Sequence, residues 1–262
     1  PEYHRSVADL NVFGPITRSV DDLDLLLEFL AGPSDDDAPG WRLELPPARA
    51  TALGEFRVAA WLDDAACATD PAVLAVLDEA VHELERAGAK VDRRARPDLV
   101  AADAVDLAWR LEVAATHIAS SDEARAEGHR VDHYDWMIAS RRRDLLRRRW
   151  AAFFDNIDVL LCPVLPVPPI RHQQPVGGSN NWSDGTLADH GERPYSDLAW
   201  WMLLTGSVYL PATVAPVGRT DARLPIGMQV VAPFLHDRTA IGFAREMSTV
   251  LGGYEPPPRA QS

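Results

Sequence analysis
Lysine is almost missing from this chain: Lys90 stands alone beside 25 arginines in 262 residues. Replacement of lysine by arginine throughout, with alanine abundant, matches GC-rich coding and has no structural cause. Cysteine is nearly as scarce. Cys67 and Cys162 are too few for a disulfide framework, and neither has the Cys-x-x-Cys or histidine spacing of a zinc site. Both are expected to be buried thiols, and no metal is expected. No run approaches the ~20 apolar residues of a membrane-spanning helix, and the apolar stretch 159–167 is interrupted by Pro163 and Pro166. No basic stretch followed by an apolar one opens the chain, so no secretory signal is visible and the cytoplasm is the expected compartment. No phosphate-cradling glycine loop is present, and no cofactor is expected.

Acidic residues outnumber basic ones by 39 to 26, a net charge of −13. Such a surface repels polyanions, which excludes nucleic acid as a general partner. The local exception is a run holding Arg141, Arg142, Arg143, Arg147, Arg148 and Arg149. At helical spacing these wrap around more than one side, which predicts a solvated, partly ion-paired helix whose buried face comes from Leu145, Leu146 and Trp150.

With 47% hydrophobic residues the chain can bury one sizeable core. Ser19 is a natural N-cap, followed by Asp21 and Asp22 and by Leu23, Leu26, Leu27 and Leu30 at helical spacing, with Gly32-Pro33 as the stop. Residues 32–54 read as an exposed connection. A strand over 56–62, a helix capped by Thr69 or Asp70 and ending at Gly88, and a short strand over 90–92 make a βαβ-type unit. Residues 101–154 are helical by pattern, with a break near Gly128, and 158–163 form a short apolar central strand. Residues 166–194, with five prolines, read as a long surface loop. Two further strands, 212–216 and 226–231, precede a last helix capped by Asp237 and ending at Gly252-Gly253, and the tail 255–262 is expected to be flexible.

Taken by themselves, the residues carry little catalytic signal. His129 and His133 are four apart, but no glutamate lies between them as in H-E-x-x-H, and surface histidines are expected. Ser179 follows two glycines, yet position 181 is asparagine, so the G-x-S-x-G nucleophile turn is not met. Asp63-Asp64 and Asp35-Asp36-Asp37 sit beside turns and read as solvated acids.

Four segments change this picture. Gly14-Pro15-Ile16-Thr17-Arg18-Ser19-Val20-Asp21-Asp22-Leu23, Asp158-Val159-Leu160-Leu161-Cys162-Pro163-Val164-Leu165-Pro166, Leu210-Pro211-Ala212-Thr213-Val214-Ala215-Pro216-Val217-Gly218 and Leu224-Pro225-Ile226-Gly227-Met228-Gln229-Val230-Val231 follow in order. Together they resemble the C-terminal half of the amidase-signature enzymes. The resemblance implies an α/β fold with a mixed central β-sheet flanked by helices, and hydrolysis of a carboxamide C–N bond. It implies a serine nucleophile, a bridging serine and a lysine kept neutral by burial. The substrate would be a small-molecule amide.

In that family the lysine and the Gly/Ser-rich signature precede the first of these segments, so the resemblance assigns no catalytic residue to this chain. Lys90 is expected to be solvated. The chain 1–262 is then expected to be one partial domain supplying scaffold and part of the acyl pocket, inactive alone, and completed by a missing N-terminal half or a partner chain. Where the family usually has glycine before L-P-A, this chain has Tyr209. Tyr209, with Trp201 and Thr205, is expected to border the acyl pocket, although Trp200 and Trp201 suit core filling equally well. The competing reading is a non-catalytic, amidase-like binding subunit or a decayed enzyme, docked through the face its other half would cover.

Overall fold
The computed structural model describes residues 9–10, 12–116, 132–171, 186–187 and 193–256. Gly128, His129, Ser179 with its two glycines, and tail residues 257–262 lie outside the described residues. The N-terminal part holds helix α1 (Val20–Leu30), strand β1 (Arg57–Ala60), helix α2 (Pro71–Arg86) and strand β2 (Lys90–Asp92). Helices α3 (Ala101–Thr116) and α4 (His133–Phe154) lead into strand β3 (Val159–Pro163). A short hairpin of β4 (Thr186–Leu187) and β5 (Arg193–Pro194) precedes helix α5 (Trp200–Gly206). Strands β6 (Ala212–Arg219) and β7 (Pro225–Val231) and helix α6 (Asp237–Leu251) close the described chain.

The local reasons follow from the residues. Asp70 accepts from the Ala72 N–H at 2.8 Å, with Pro71 opening α2, and Gly88 takes a positive φ of 106° just past the end of that helix. Ser19 caps α1 through the Asp22 N–H at 3.0 Å. The cap expected at Asp237 is not used: His236 occupies the N-cap position without a side-chain bond, and Asp237 is the first helical residue.

Five strands form the main sheet in the order β2-β1-β3-β7-β6. β1 pairs in parallel with β2 and β3, whereas β7 is antiparallel to β3 and β6, so the sheet is mixed. Three of the motif segments therefore lie side by side as β3, β7 and β6. Gly227 within β7 has a spatial reason, since a Cβ there would come 3.0 Å from Val214 Cγ1 on β6. Both faces are covered. Val58, Ala60, Val159 and Leu161 point to one core, filled by Leu77, Val81 and Leu84 of α2 and by Phe243, Ala244 and Met247 of α6. Ala59, Leu160 and Cys162 alternate to the other, against Val105 and Ala108 of α3, Trp150, Phe153 and Phe154 of α4, and Trp201 and Leu204 of α5.

Two further expectations need correction. Leu145 is exposed and Arg143 is buried instead, because the α4 face at that height meets Tyr209 and Asp9 rather than an apolar wall. The stretch 166–194 is not wholly a surface loop, since Pro166, Val167, Pro168 and Leu187 are buried and the β4–β5 hairpin lies within it. α1 is helical as expected, yet none of its residues is buried. It is tied to α6 through Arg245 to Asp21 (3.1 Å) and Asp24 (4.0 Å). Before it, Phe13 and Ile16 are 98% and 97% exposed, although apolar. Among the described residues no helix is long and apolar enough to cross a membrane, and no cluster of three or more His, Cys, Asp or Glu is placed to hold a metal.

The register of the central strands is set by Asp158. Its Oδ2 accepts from the Arg57 backbone N–H (2.9 Å) and Nε (3.1 Å), and its Oδ1 accepts from Arg57 Nη2 at 2.6 Å. Arg49 Nη1 lies 3.4 Å from the same oxygen and also donates to the carbonyls of Phe154 (2.8 Å) and Ile157 (3.2 Å). Burial alone would raise the Asp158 pKa, but the hydrogen bonds and charge of Arg57, with the Arg49 bond, hold it below the ordinary 3.8. Asp158→Ala, which strips both arginines and a backbone N–H of their partner, is expected to cost about 3 kcal/mol in urea unfolding. Because the folded-state pKa is the lower one, this contribution is complete above about pH 4 and disappears as pH falls further. The gap between wild type and Asp158→Asn should narrow over that acid range. A gap that persists unchanged at about pH 2 would refute the linkage.

Both cysteines are buried thiols as expected, and burial pushes each up to about 12. Cys162 Sγ also accepts from Gln229 Nε2 at 3.2 Å, joining β3 to β7. Native protein is expected to resist a disulfide reagent at about pH 8, with both thiols titrating only after denaturation. Rapid native labelling of either would show that the packing around it opens.

Candidate functional site
α5 carries two of the expected pocket residues inward. The apolar Trp-Trp-Met-Leu-Leu run buries Trp200, Trp201, Leu203, Leu204 and Thr205 and leaves Met202 exposed. Trp201 is fully buried, edge-on to Trp61 at 5.7 Å and to Trp200 at 4.7 Å. The Thr205 hydroxyl donates to the Trp201 carbonyl at 3.2 Å, one turn back on its own helix. Trp201 and Thr205 thus stand in the packed layer between α5 and the sheet.

Tyr209 lies elsewhere. Beyond α5 the Tyr209 N–H donates to Gly206 O (2.9 Å) and the Leu210 N–H to Thr205 O (3.3 Å), the paired bonds of a Schellman turn. Its left-handed residue is Tyr209, with φ 64°. That backbone suits glycine and costs a side-chain-bearing residue roughly 1 kcal/mol. The side chain offsets the cost. Tyr209 Oη donates to Asp9 Oδ1 at 2.6 Å, and Arg143 Nη1 donates to Asp9 Oδ2, also at 2.6 Å. The guanidinium groups of Arg143 and Arg147 lie 4.8 and 5.2 Å from the centre of the Tyr209 ring, and that of Arg147 lies 4.8 Å from the centre of Phe234. Each such contact stabilises by about 0.5–2 kcal/mol, according to its burial. Burial and the bond to Asp9 push the Tyr209 phenol up to about 12. Burial would raise the Asp9 carboxyl, but the bonds from Tyr209 and Arg143 outweigh it and leave the group below its ordinary value.

Beside this ladder a cleft of about 440 Å³ opens between α4 and the segments flanking β6 and β7. Val208, Leu210, Pro233 and Phe234 form its apolar side, and Arg147 and Arg148 line it from α4. Arg49 and His236 also border it. Burial, then the charge of Arg49, lowers the His236 pKa, which favours a neutral ring. The cleft sits where β3 begins, β7 ends and β6 begins, opposite the sheet end that carries Pro163.

Among the described residues, Trp201 and Thr205 thus face the packed core, whereas Tyr209 faces Asp9, Arg143 and Arg147. The one signal that could have marked the arginines is their four-residue spacing, which puts Arg143 and Arg147 on one face of α4. His133 is exposed and stacks on Trp136 at 6.4 Å, in keeping with a surface histidine. Lys90, the one lysine, is exposed on the edge strand β2 and has none of the burial on which a lysine base depends.

The model of the family described as Amidase matches residues 5–131 and 115–241. The 2-amino-5-chloromuconic acid deaminase of Comamonas testosteroni is 26% identical over 269 residues, covering 94% of this chain and 52% of that protein. The indoleacetamide hydrolase of Bradyrhizobium japonicum is 27% identical over 257 residues, covering 91% and 52%. Among solved structures, a bacterial aryl acylamidase of the amidase-signature enzymes shares the fold, with a TM-score of 0.66 and 21% identity, over 90% of this chain and 52% of its own. The chain spans about half the length of the relatives it matches. It belongs to the amidase family.

Proposed function
We propose that this chain is the scaffold half of an amidase that hydrolyses a carboxamide C–N bond of a small-molecule substrate, with the catalytic serines and lysine supplied by a preceding segment or a partner chain. The observation that supports it most is the placement of the family segments. Three of them build the adjacent strands β3, β7 and β6, while the first leads into α1 and leaves Phe13 and Ile16 in solvent. Exposed apolar side chains of that size are suited to cover by another part of the protein. The relatives are about twice as long, which supplies a part to cover them.

In this reading Trp201 and Thr205 support the acyl pocket from behind, since both are packed inside α5, and Tyr209 fixes the turn that leads into β6. The only lysine of the chain is solvent-exposed, which supports a chain inactive alone; the cytoplasm is the compartment assigned to it in this reading. Exposed apolar surface before α1 also favours a second reading, a non-catalytic binding subunit docked on a partner through the same face.

Amide turnover, with a fluorophosphonate probe followed by intact mass, tests the assignment. The isolated chain is expected to show neither turnover nor adduct. Joined to the complementary amidase segment it should hydrolyse a simple aryl amide, with the probe on a serine of that segment, and Lys90→Ala should change kcat/KM by less than about twofold. An adduct on Ser179 of the isolated chain would overturn the division of labour. A joined protein that binds but turns over nothing supports the subunit reading.

A further inference from the structure
The alternation of Arg143, Tyr209, Arg147 and Phe234 ends differently at its two ends. Arg143 is buried and neutralised by Asp9 at 2.6 Å. Arg147 has its guanidinium against two rings, yet its recorded carboxylate partner, Asp144, is 3.9 Å away, beyond hydrogen-bond reach. A guanidinium held against two rings, with no carboxylate within hydrogen-bond reach among the described residues, can receive a planar, two-oxygen acceptor through its N–H groups. That group borders the cleft of about 440 Å³, a volume typical of small-molecule sites.

The charge around the cleft selects the ligand. Arg49 is committed to Asp158 and to two carbonyls, which leaves Arg147 and the exposed Arg148 facing the opening. Asp144 and Asp155 also line it; with Asp158 and the Arg57 that shares it with Arg49, four arginines stand against three aspartates, a surplus of one positive charge. In a chain of net charge −13 this is a local reversal of sign. One surplus charge suits a monoanion, whereas a phosphate dianion would meet the two aspartates with twice the repulsion. Val208, Leu210 and Phe234 opposite the arginines offer an apolar wall to the remainder of the molecule.

We propose that this cleft binds a small organic carboxylate with an apolar body, its carboxylate on the Arg147 edge with Arg148 flanking and its body against Leu210 and Phe234. Arg147, Arg148, Leu210 and Phe234 all belong to this chain, and none is assigned a role in C–N cleavage. Nothing in its test depends on catalysis.

Calorimetric titration of the full chain with phenylacetate, its neutral amide phenylacetamide and inorganic phosphate tests it. Phenylacetate is expected to bind saturably with a Kd of about 1 mM or below. Phenylacetamide and phosphate should each bind at least about tenfold more weakly, since one lacks the charge and the other the apolar body. Arg147→Gln should weaken phenylacetate about tenfold with the circular dichroism spectrum retained. If that variant does not fold, the exposed Arg148→Gln replaces it, with an expected loss of about threefold. No saturation by ~20 mM, equal binding of acid and amide, tighter binding of phosphate, or full affinity in the folded variants would each overturn the proposal.

Discussion

The Asp158 carboxylate is the point on which the remaining structure rests. It lies just before β3, where buried strands from distant parts of the sequence must be brought into register. Its bonds to the Arg57 backbone and guanidinium fix β1 against β3. Arg49 extends the same cluster to the carbonyls at the end of α4, so that sheet and helical layer are joined at one ion cluster. A buried carboxylate is costly unless its lone pairs are satisfied, and here each oxygen receives at least two donors. The apolar cores on either face then pack on strands whose relative heights are already determined. Hydrophobic burial supplies most of the stabilisation but is indifferent to a slip along the strand; the directional bonds of Asp158 are not.

A second polar cluster has a different task. Asp9 precedes the first family segment, Arg143 lies on α4, and Tyr209 sits in the turn before β6, so three remote pieces meet at one carboxylate. Tyr209 holds a backbone conformation that glycine adopts freely, and the contacts of its side chain with Asp9, Arg143 and Arg147 compensate for that strain. The substitution of a large ring at a glycine-like turn is therefore coupled to the arginine-rich face of α4.

The parts legible in the sequence were those governed by neighbours along the chain. Ser19 and Asp70 as caps, the apolar spacing of α2, the βαβ unit and the buried strand at β3 are all local patterns, and each was found where it was expected. Errors arose where a distant partner decided the outcome. Arg143 was read as solvated because helix periodicity cannot reveal that Tyr209 and Asp9 lie opposite. Leu145 was read as buried for the converse reason. The candidate site is the least legible part: the family resemblance groups Trp201, Thr205 and Tyr209 at an acyl pocket, and in this chain a helix and a Schellman turn direct them differently. Trp201 and Thr205 enter a closed core, and Tyr209 turns to the arginines.

The one lysine of the chain is placed unlike a catalytic base. An amide-cleaving lysine must be buried to act as a base, but Lys90 lies in solvent on an edge strand. Arginine stays charged even when buried, so an arginine tied to a carboxylate serves as an anchor or a binding group and not as a proton acceptor. Arg143 beneath Tyr209 and Arg49 beside Asp158 show that use, each held by a carboxylate. Arginine held in this way anchors elements against one another, as Arg143 does between α4 and Tyr209 and Arg49 between Asp158 and the end of α4.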